Sequence, residues 1–188
     1  MQIKVGVSNR HIHLKKEDLE TLFGVGYELN VFKEINQPGQ FSSTDKVIIK
    51  TDKAEISNVR VLGPVRNYTQ VEISKTDAFK LGINPPVRTS GNIENSSPIT
   101  IVGPKGILNL TEGCIIADRH IHITPKETLE FGLIGLNEVS LRVEGIKGGI
   151  LEHVHLKVSE NACFEAHLDT DDANAHLIKD GDIVEIIK

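Results

Sequence analysis

The sequence has few of the features that identify secreted, membrane or nucleotide-binding proteins. Its 188 residues include only two cysteines, Cys114 and Cys163, which cannot form the disulfide framework of a small secreted domain. There is no signal peptide, no apolar run of membrane-spanning length and no lipidation motif. A phosphate-binding loop and a dinucleotide-binding glycine motif are also missing, so nucleotide hydrolysis and nicotinamide chemistry lack their usual sequence support. We therefore expect a cytoplasmic protein with no membrane partner.

The composition is that of an ordinary globular protein with a mild excess of acid. Hydrophobic residues make up 39%, charged residues 25%, and the formal net charge is −5. This charge argues against nucleic acid or an anionic membrane as the main partner, although local basic residues can still bind an anionic ligand. The length allows a real core in one domain or in two small ones.

The most informative feature that is present is a repeated tetrapeptide. Arg-His-Ile-His occurs at residues 10–13 and again at residues 119–122. Residues i and i+2 of a β-strand point to the same face, so each copy presents two imidazoles on one side of a strand. Paired imidazoles are a common way to bind a metal ion, and the repeat therefore predicts a metal centre.

A short helix is predicted after each tetrapeptide, and the same helix pattern occurs twice more without the double histidine. Residues 124–127, Thr-Pro-Lys-Glu, form a capping box, and the other helices are predicted from about residues 15, 74 and 169. When the helix starts are aligned, a ligand-type side chain falls at one equivalent position in every copy. With the first histidine of each tetrapeptide, the alignment selects six candidate metal ligands: His11, His13, Glu72, His120, His122 and His167.

Six candidates suit two metal ions with three ligands each. A catalytic zinc commonly has about three protein ligands and one open position, whereas a structural zinc site is closed by about four. The single carboxylate, Glu72, indicates two inequivalent sites. The alternative is a fourfold structural repeat that merely tolerates polar residues before its helices, but the regular occurrence of ligand types favours a metal centre.

The segments between the helices are predicted strands, so the fold class is mainly β, internally duplicated, with short capping helices. The predicted strands include residues 3–7, 46–50, 59–62, 99–102, 138–143 and 182–187. Two small closed barrels would leave no exposed sheet edges. The halves divide between Cys114 and Asp118, and residues 25–43 are predicted to be an insertion because the second half has no counterpart.

Several residues outside the alignment are candidates for binding an anion. Arg66 lies six residues before Glu72 and would share its strand face if the strand were continuous. Arginine suits bidentate binding of phosphate or carboxylate, whereas the alternative for Arg66 is a surface position. Arg88 and Ser90 are weaker candidates for an anion site.

Two further patterns are interpreted as structural. Arg10 and Arg119 precede the histidine pairs and point to the opposite strand face, which predicts ion pairs that support the fold. His153 and His155 form a third His-X-His pattern, but no capped helix follows them. We interpret this third pattern as a solvated strand face rather than a metal site.

Residues 7–14, 117–123 and 167–175, taken together and in this order, resemble the PduL-type phosphotransacylases, or phosphate propanoyltransferases. Residues 63–66 and 86–91 match this family as well, so the resemblance covers essentially the whole chain. The resemblance implies reversible transfer of a short acyl group, propanoyl or acetyl, between coenzyme A and inorganic phosphate. It also implies two zinc ions per chain and two similar β-barrels capped by short helices.

The same resemblance implies a domain division and residue roles. One barrel would contain residues 1–9 and 118–188, and the other would contain residues 10–117 with the insertion inside it. Arg66 would bind phosphate and Asn174 would contact coenzyme A. The implied zinc ligands are those that the repeat alignment selects, divided as His11, His13 and Glu72 for one ion and His120, His122 and His167 for the other.

The implied partners are acyl-CoA, coenzyme A and phosphate, in a homo-oligomer for which a dimer is favoured. Many family members serve propanediol degradation in bacterial microcompartments and carry an N-terminal targeting extension. This chain starts at its first barrel strand, which favours a cytoplasmic relative or a shortened chain and weakens the preference for propanoyl-CoA over acetyl-CoA.

Two other functions use the same candidate ligands. A di-zinc hydrolase would attack a thioester or phosphoester with metal-bound hydroxide in place of phosphate. A non-enzymatic scaffold held together by metal is a different class of protein. It fits less well, because structural zinc sites usually have four protein ligands rather than three.

Overall fold

Four short helices and fourteen strands make up the fold in the computed structural model, which describes residues 1–188. The chain divides into two units, which we call the terminal unit (residues 1–9 and 118–188) and the central unit (residues 10–117). None of the helices is both long enough and apolar enough to cross a membrane.

The central unit is built on six strands that close into a barrel, with two more short strands attached. Its strands are β2 (His11–His13), β3 (Val31–Glu34), β4 (Phe41–Lys50), β5 (Glu55–Gly63), β6 (Gln70–Glu72), β7 (Val87–Arg88), β8 (Ser97–Val102) and β9 (Ile107–Ala117). Hydrogen-bonded neighbours follow the order β4-β5-β2-β6-β9-β8 and return to β4, while β3 pairs with β4 and β7 with β9. Its helices are α1 (Lys16–Phe23) and α2 (Lys75–Leu81).

The terminal unit is a closed barrel of six strands. Its strands are β1 (Gln2–Ser8), β10 (His120–Ile123), β11 (Glu138–Val143), β12 (Gly149–Val158), β13 (Glu165–Asp169) and β14 (Ile183–Ile187), arranged in the order β1-β13-β10-β12-β11-β14. Its helices are α3 (Pro125–Glu130) and α4 (Thr170–His176). The predicted fold class, two similar small β-barrels capped by short helices, is confirmed.

Each barrel has its own apolar core, and the isoleucine of each Arg-His-Ile-His motif belongs to it. Ile12 and Ile121 are completely buried in the central and terminal cores, respectively. Alternate residues of a strand point to opposite faces, so the histidines that flank each isoleucine point away from the barrel core. Cys114 is also part of the central core, as expected for a small apolar residue.

All four helices begin at the same distance from a candidate ligand. Three of the four N-cap residues, Ser74, Thr124 and Asp169, accept a hydrogen bond from backbone N–H groups of their own first turn, and Thr124 completes the predicted capping box with Glu127. The fourth, Lys15, has no side-chain acceptor, and its backbone N–H donates to Thr69 Oγ1 at 3.1 Å. Each N-cap follows its ligand by two residues, and this local spacing underlies the repeat alignment.

The predicted insertion supplies the edge of the central sheet. Strand β3 lies at this edge, pairs only with β4, and has four exposed residues. Tyr27 and Leu29, just before it, pack against the central core, and the Tyr27 hydroxyl donates to Asp45 Oδ1 at 2.6 Å. The terminal unit has no strand beyond those of its barrel.

Candidate metal centres

The six predicted ligands form two groups, one in each unit. We call His11, His13 and Glu72 the central cluster, and we call the other group the terminal cluster. Within each cluster the ligand atoms all lie within 4.8 Å of one another. The terminal cluster consists of His120, His122 and His167.

The same strand pairing assembles both clusters. Strands β2 and β6 are antiparallel, with His11 opposite Glu72, and strands β10 and β13 are antiparallel, with His120 opposite His167. Side chains directly opposite each other on antiparallel strands are close neighbours on one face of the sheet. The second histidine of each motif lies two residues further along the same face, so three ligands converge.

The central cluster is buried and its carboxylate is ionised. His11 Nε2 lies 3.3 Å from Glu72 Oε2, and His13 Nε2 lies 3.9 Å from Glu72 Oε1. Burial alone raises the pKa of the Glu72 carboxyl, but the charge and hydrogen bond of His11, with the hydrogen bond of Ser90, hold that pKa below its usual range. The pKa of His13 falls well below its usual range because the ring is buried and because of His11 and Arg66 nearby.

The His13 ring fits a metal ligand better than a structural histidine. Its Nδ1 atom is buried and makes no hydrogen bond of normal geometry, and its Nε2 atom is 3.9 Å from the nearest Glu72 oxygen. Buried polar atoms in proteins normally have a partner, and leaving one without a partner costs about 1–3 kcal/mol. Two imidazoles and a carboxylate form a donor set that suits a divalent metal such as zinc.

The terminal cluster consists of three closely packed imidazoles. The ring centroids of His122 and His167 are 4.6 Å apart, and the Nε2 atoms of His120 and His122 are 3.2 Å apart. Burial, together with the charges of His167 and His120, lowers the pKa of His122 to about 2. The ring therefore stays neutral at physiological pH, and neutral imidazole is the form that binds metal ions.

Acceptor groups fix the orientation of two rings in the terminal cluster. His120 Nδ1 lies 2.9 Å from the backbone carbonyl oxygen of Asp118, and His167 Nε2 lies 2.9 Å from Glu165 Oε2. Carbonyl and ionised carboxylate oxygens only accept hydrogen bonds, so these two nitrogens donate. His120 Nε2, which faces His122, then keeps its lone pair for a metal ion, an arrangement common among metal-binding histidines.

Donor groups, in contrast, surround the carboxylate of the central cluster. Gln70 Nε2 donates to Glu72 Oε1 at 2.6 Å, and Ser90 Oγ donates to the same oxygen at 2.9 Å. Ser90 was only a weak candidate on sequence, and neither Gln70 nor Glu165 was selected. Both missed residues lie two positions before a candidate ligand, so strand alternation was the signal that could have identified them.

Arg66 lies beside the central cluster, although the reason given for it from the sequence is wrong. The strand is not continuous from Arg66 to Glu72, because β6 begins at Gln70 and the Arg66 backbone N–H donates to Leu14 O at 2.8 Å instead. Its guanidinium donates to Tyr68 Oη at 2.7 Å and lies 3.4 Å from Ser90 Oγ. The arginine is thus connected to Glu72 through Ser90.

The remaining candidate binding residues lie on exposed or partly exposed parts of their units. Asn174 is exposed on α4 of the terminal unit. Arg88 is partly exposed on β7, where its guanidinium lies 3.5 Å from the backbone oxygen of its neighbour Val87. The contacts of these two residues connect neither of them to a ligand cluster.

The predicted ion pairs of Arg10 and Arg119 are confirmed. Arg10 Nε lies 2.8 Å from Asp77 Oδ2, and Arg119 makes two hydrogen bonds of 2.8 Å to the carboxylate of Asp172. Each aspartate lies in the first turn of the helix that follows the next ligand position. Each arginine therefore joins the start of a strand that carries two ligands to a helix of its own unit, and the two ion pairs are equivalent.

The third His-X-His pattern lies on strand β12 and belongs to neither ligand cluster. His153 is solvated, with a side chain 79% exposed and paired with Glu138. His155 is only one third exposed, and its ring lies between Glu138 and Asp118, with Nε2 at 2.9 Å from Asp118 Oδ2. Because β12 pairs with β10, His155 lies opposite His120 and contacts the residue that supports that ligand.

Comparison with known proteins identifies a family for the whole chain. A model of the phosphate propanoyltransferase family matches residues 4–179. The phosphate propanoyltransferase of Thermotoga maritima is 52% identical over 187 residues, which cover 99% of this chain and 89% of that protein. That of Rhodopseudomonas palustris is 46% identical over 187 residues, which cover 100% of this chain and 83% of the relative.

A third relative agrees with these two. The phosphate propanoyltransferase of Lachnoclostridium phytofermentans is 47% identical over 186 residues, covering 98% of this chain and 87% of that protein. The identities are high and almost the full length is matched, as the sequence motifs led us to expect. The chain therefore belongs to the phosphate propanoyltransferase family, whose members are acyltransferases that act between coenzyme A and phosphate.

Proposed function

We propose that this acyltransferase is a zinc-dependent phosphotransacylase that binds two zinc ions per chain, one at each cluster. The observation that carries the proposal is the convergence of three ligand side chains in each unit. Of these six side chains, five are imidazoles and one is a carboxylate. Such donor sets suit zinc, and three protein ligands leave a position for substrate. When bound, zinc polarises a carbonyl oxygen as a Lewis acid and accepts a thiolate as a soft metal.

Arg66 is the residue that we propose for binding phosphate. Its planar guanidinium can donate two parallel hydrogen bonds to phosphate oxygens. Tyr68 and Ser90 hold the guanidinium close to the central cluster. A phosphate fixed by this arginine is oriented for attack, and orientation of reactants contributes much of the rate in such transfers.

The proposed reaction is direct attack of phosphate on acyl-CoA. A phosphate oxygen forms a bond to the thioester carbonyl carbon, and the carbon–sulfur bond then breaks. The products are acyl phosphate and coenzyme A, with the proton of hydrogen phosphate passing to the thiolate. No acyl-enzyme is needed, and Cys114 is a poor nucleophile because burial raises the pKa of its thiol to about 12.

Other properties stay predictions of the sequence resemblance. These are the preference for a propanoyl or acetyl group, the contact of Asn174 with coenzyme A, the homodimer, and the cytoplasmic or microcompartment location. The exposed position of Asn174 on α4 leaves its side chain accessible to a large ligand such as coenzyme A.

The first experiment measures release of coenzyme A from propanoyl-CoA and acetyl-CoA, with and without phosphate, on protein whose zinc content is determined in the same sample. We expect release to require phosphate and zinc to approach two ions per chain. Removal of zinc with a chelator should abolish release, and added zinc should restore it. Release that is independent of phosphate would instead indicate the hydrolase, and active protein without metal would reject zinc dependence.

A second experiment tests direct attack. Mixing the enzyme with acyl-CoA labelled in the acyl group, without phosphate, should leave no label on the protein after denaturation. Labelled protein that transfers its label to phosphate would show an acyl-enzyme and contradict the proposed reaction.

A further inference from the structure

Gln70 and Glu165 occupy the same place in the two units. Each lies two residues before the ligand of its strand, which is Glu72 in β6 and His167 in β13. Each also lies opposite the second histidine of an Arg-His-Ile-His motif: Gln70 is opposite His13, and Glu165 is opposite His122. Sequence spacing and strand register therefore make the two residues equivalent.

Both residues are buried and contact the ligand that follows them. Gln70 is completely buried, and its Nε2 donates to Glu72 Oε1 at 2.6 Å. Glu165 is 5% exposed, and its Oε2 lies 2.9 Å from His167 Nε2. A buried polar side chain in hydrogen-bond contact with a ligand can fix the orientation of that ligand.

The hydrogen-bond chemistry of each pair is complementary. An ionised carboxylate such as Glu72 only accepts, so its neighbour must donate, and the Gln70 amide nitrogen does so. A histidine that gives one nitrogen to a metal donates from the other, so its neighbour must accept, and a carboxylate is the stronger acceptor. Between the two units, both the ligand and the residue two positions earlier differ, and in each unit one donates where the other accepts.

We propose that Gln70 and Glu165 are positioning residues matched to their ligands, with Gln70 orienting the Glu72 carboxylate and Glu165 orienting the His167 ring through its contact with Nε2. This inference rests on the proposed function, because it assumes that both clusters bind metal. It assigns a role to two residues that the ligand sets themselves do not include.

Gly6 gives the Glu165–His167 pair the space it needs. Strand β1 runs beside β13 with Gly6 opposite His167. A Cβ atom at Gly6 would lie 3.1 Å from His167 Cδ2 and 3.2 Å from Glu165 Cδ and Oε2, closer than ordinary van der Waals contact. In the central unit, the residue in the same register opposite Glu72 is Ile115, so that pair tolerates a large neighbour.

Metal binding to each cluster is measured separately in the full-length chain. A His11→Ala background leaves the terminal cluster intact, and a His120→Ala background leaves the central cluster intact. Zinc affinity is measured by competition with a chelator, and cobalt(II) spectra report the ligand geometry. In the His11→Ala background, Glu165→Gln and Glu165→Ala should weaken zinc binding by roughly 10–100-fold and shift the cobalt spectrum.

Matched substitutions distinguish positioning from general damage to the fold. Gln70→Ala should weaken zinc binding in the His120→Ala background, whereas Glu165→Gln there should leave it unchanged. Gly6→Ala should reproduce the effect of Glu165→Ala on the terminal cluster and spare the central one. Unchanged zinc affinity and cobalt spectrum in both Glu165 variants would overturn the inference.

The most decisive experiment gives the terminal unit the residue pair of the central unit. His167→Glu places two carboxylates together, so it should bind zinc weakly. Adding Glu165→Gln recreates the glutamine–glutamate pair of the central unit and should recover at least about tenfold in affinity. A double variant no better than His167→Glu would overturn the matching of pairs. If neither background binds zinc at all, the proposed metal sites fail, which is a distinct result from failure of the pairing.

Discussion

The two units build their ligand clusters from the same strand positions, yet the surroundings of the clusters differ. Donors and a cation gather around the carboxylate of the central cluster, where Gln70, Ser90 and Arg66 form a connected group. Acceptors support the terminal cluster, where Asp118 and Glu165 receive hydrogen bonds from histidines. The two clusters therefore differ in one ligand, in the hydrogen-bond partner of that ligand, and in the groups around them.

This difference is the basis on which we propose the place of phosphate binding. Arg66 lies six residues before Glu72, whereas the residue six positions before His167 is Asn161. The terminal unit therefore has no arginine at the corresponding position. Because arginine attracts and orients phosphate, we expect the phosphate of the reaction to be held by the central unit.

The largest effects should follow removal of the ligand that differs between the clusters. Glu72→Ala and His167→Ala each leave a cluster with two ligands, so zinc content should fall from two ions to one per chain. Turnover should fall by more than about 100-fold, because even the loss of a residue that only supports a ligand costs roughly 10–100-fold. Zinc content and release of coenzyme A are measured in one sample.

Glu72→His combined with Gln70→Glu is the matched control for these variants. It gives the central cluster the same three ligand types and the same supporting carboxylate as the terminal cluster, so zinc should be retained while Glu72→Ala loses it. Two tightly bound zinc ions in the Glu72→Ala protein would show that the central cluster is not a metal site.

The next largest effect should be that of Arg66→Ala on phosphate. Hydrogen bonds to charged groups contribute about 1.5–3 kcal/mol, so we expect the KM for phosphate to rise by roughly 10–100-fold. The KM for acyl-CoA and the zinc content should change little. Arg88→Ala is the control in the same unit, and an equal effect of both substitutions would remove the special role of Arg66.

A smaller effect should separate the two arginine–aspartate pairs. Arg10→Ala leaves Asp77, whose side chain is 6% exposed, without its ion pair and should lower the free energy of unfolding by about 1–3 kcal/mol. Arg119→Ala should cost less, because Asp172 is 23% exposed and water can replace the lost hydrogen bonds. Unfolding in urea measures both.

Arg142→Ala provides the baseline for these two substitutions. Arg142 and Glu185 form an exposed pair, and such pairs contribute about 0–1 kcal/mol. A larger loss for Arg119→Ala than for Arg10→Ala would contradict the argument from burial.

Much of the candidate site could be predicted from the sequence because its signals are local. One signal is strand alternation, which places His11 and His13 on the same face. Another is the fixed step of two residues from Glu72 to its helix cap at Ser74. Both signals act within a few residues. Repetition of these steps in four copies then selected all the residues that the structure brings together in the two clusters. The closed barrels were expected for other reasons: they leave no exposed sheet edges, and the family resemblance implies them.

What could not be predicted depends on contacts between distant segments. The path that brings Arg66 beside the central cluster runs through a loop, so strand alternation gave the wrong reason for its position. One long strand was also missed: β9 contains Gly113 at φ 133°. A glycine is usually taken to end a strand, but hydrogen bonding to the neighbouring strand β8 continues β9 through this residue.

The smallest effect should be a shift in the pKa of His153. The direction of this shift should distinguish the third His-X-His pattern from the two that form clusters. The hydrogen bond and charge of Glu138 raise the pKa of His153, opposite in direction to the lowered pKa of His122. We therefore expect NMR titration to find the pKa of His153 above its ordinary value and to find it lower in Glu138→Gln. Glu152→Gln, which removes only a nearby charge, should lower it less.

The sign of the linked stability follows from this shift. A raised pKa means that the folded state holds the proton more tightly, so the contribution is present in acid and is lost as pH rises through the folded-state pKa. The contribution should be small because both side chains are exposed. Zinc content should be unchanged in Glu138→Gln, because His153 is held by a carboxylate at the surface rather than among converging ligands. A loss of zinc in this variant would instead connect the third pattern, through His155 and Asp118, to the terminal cluster.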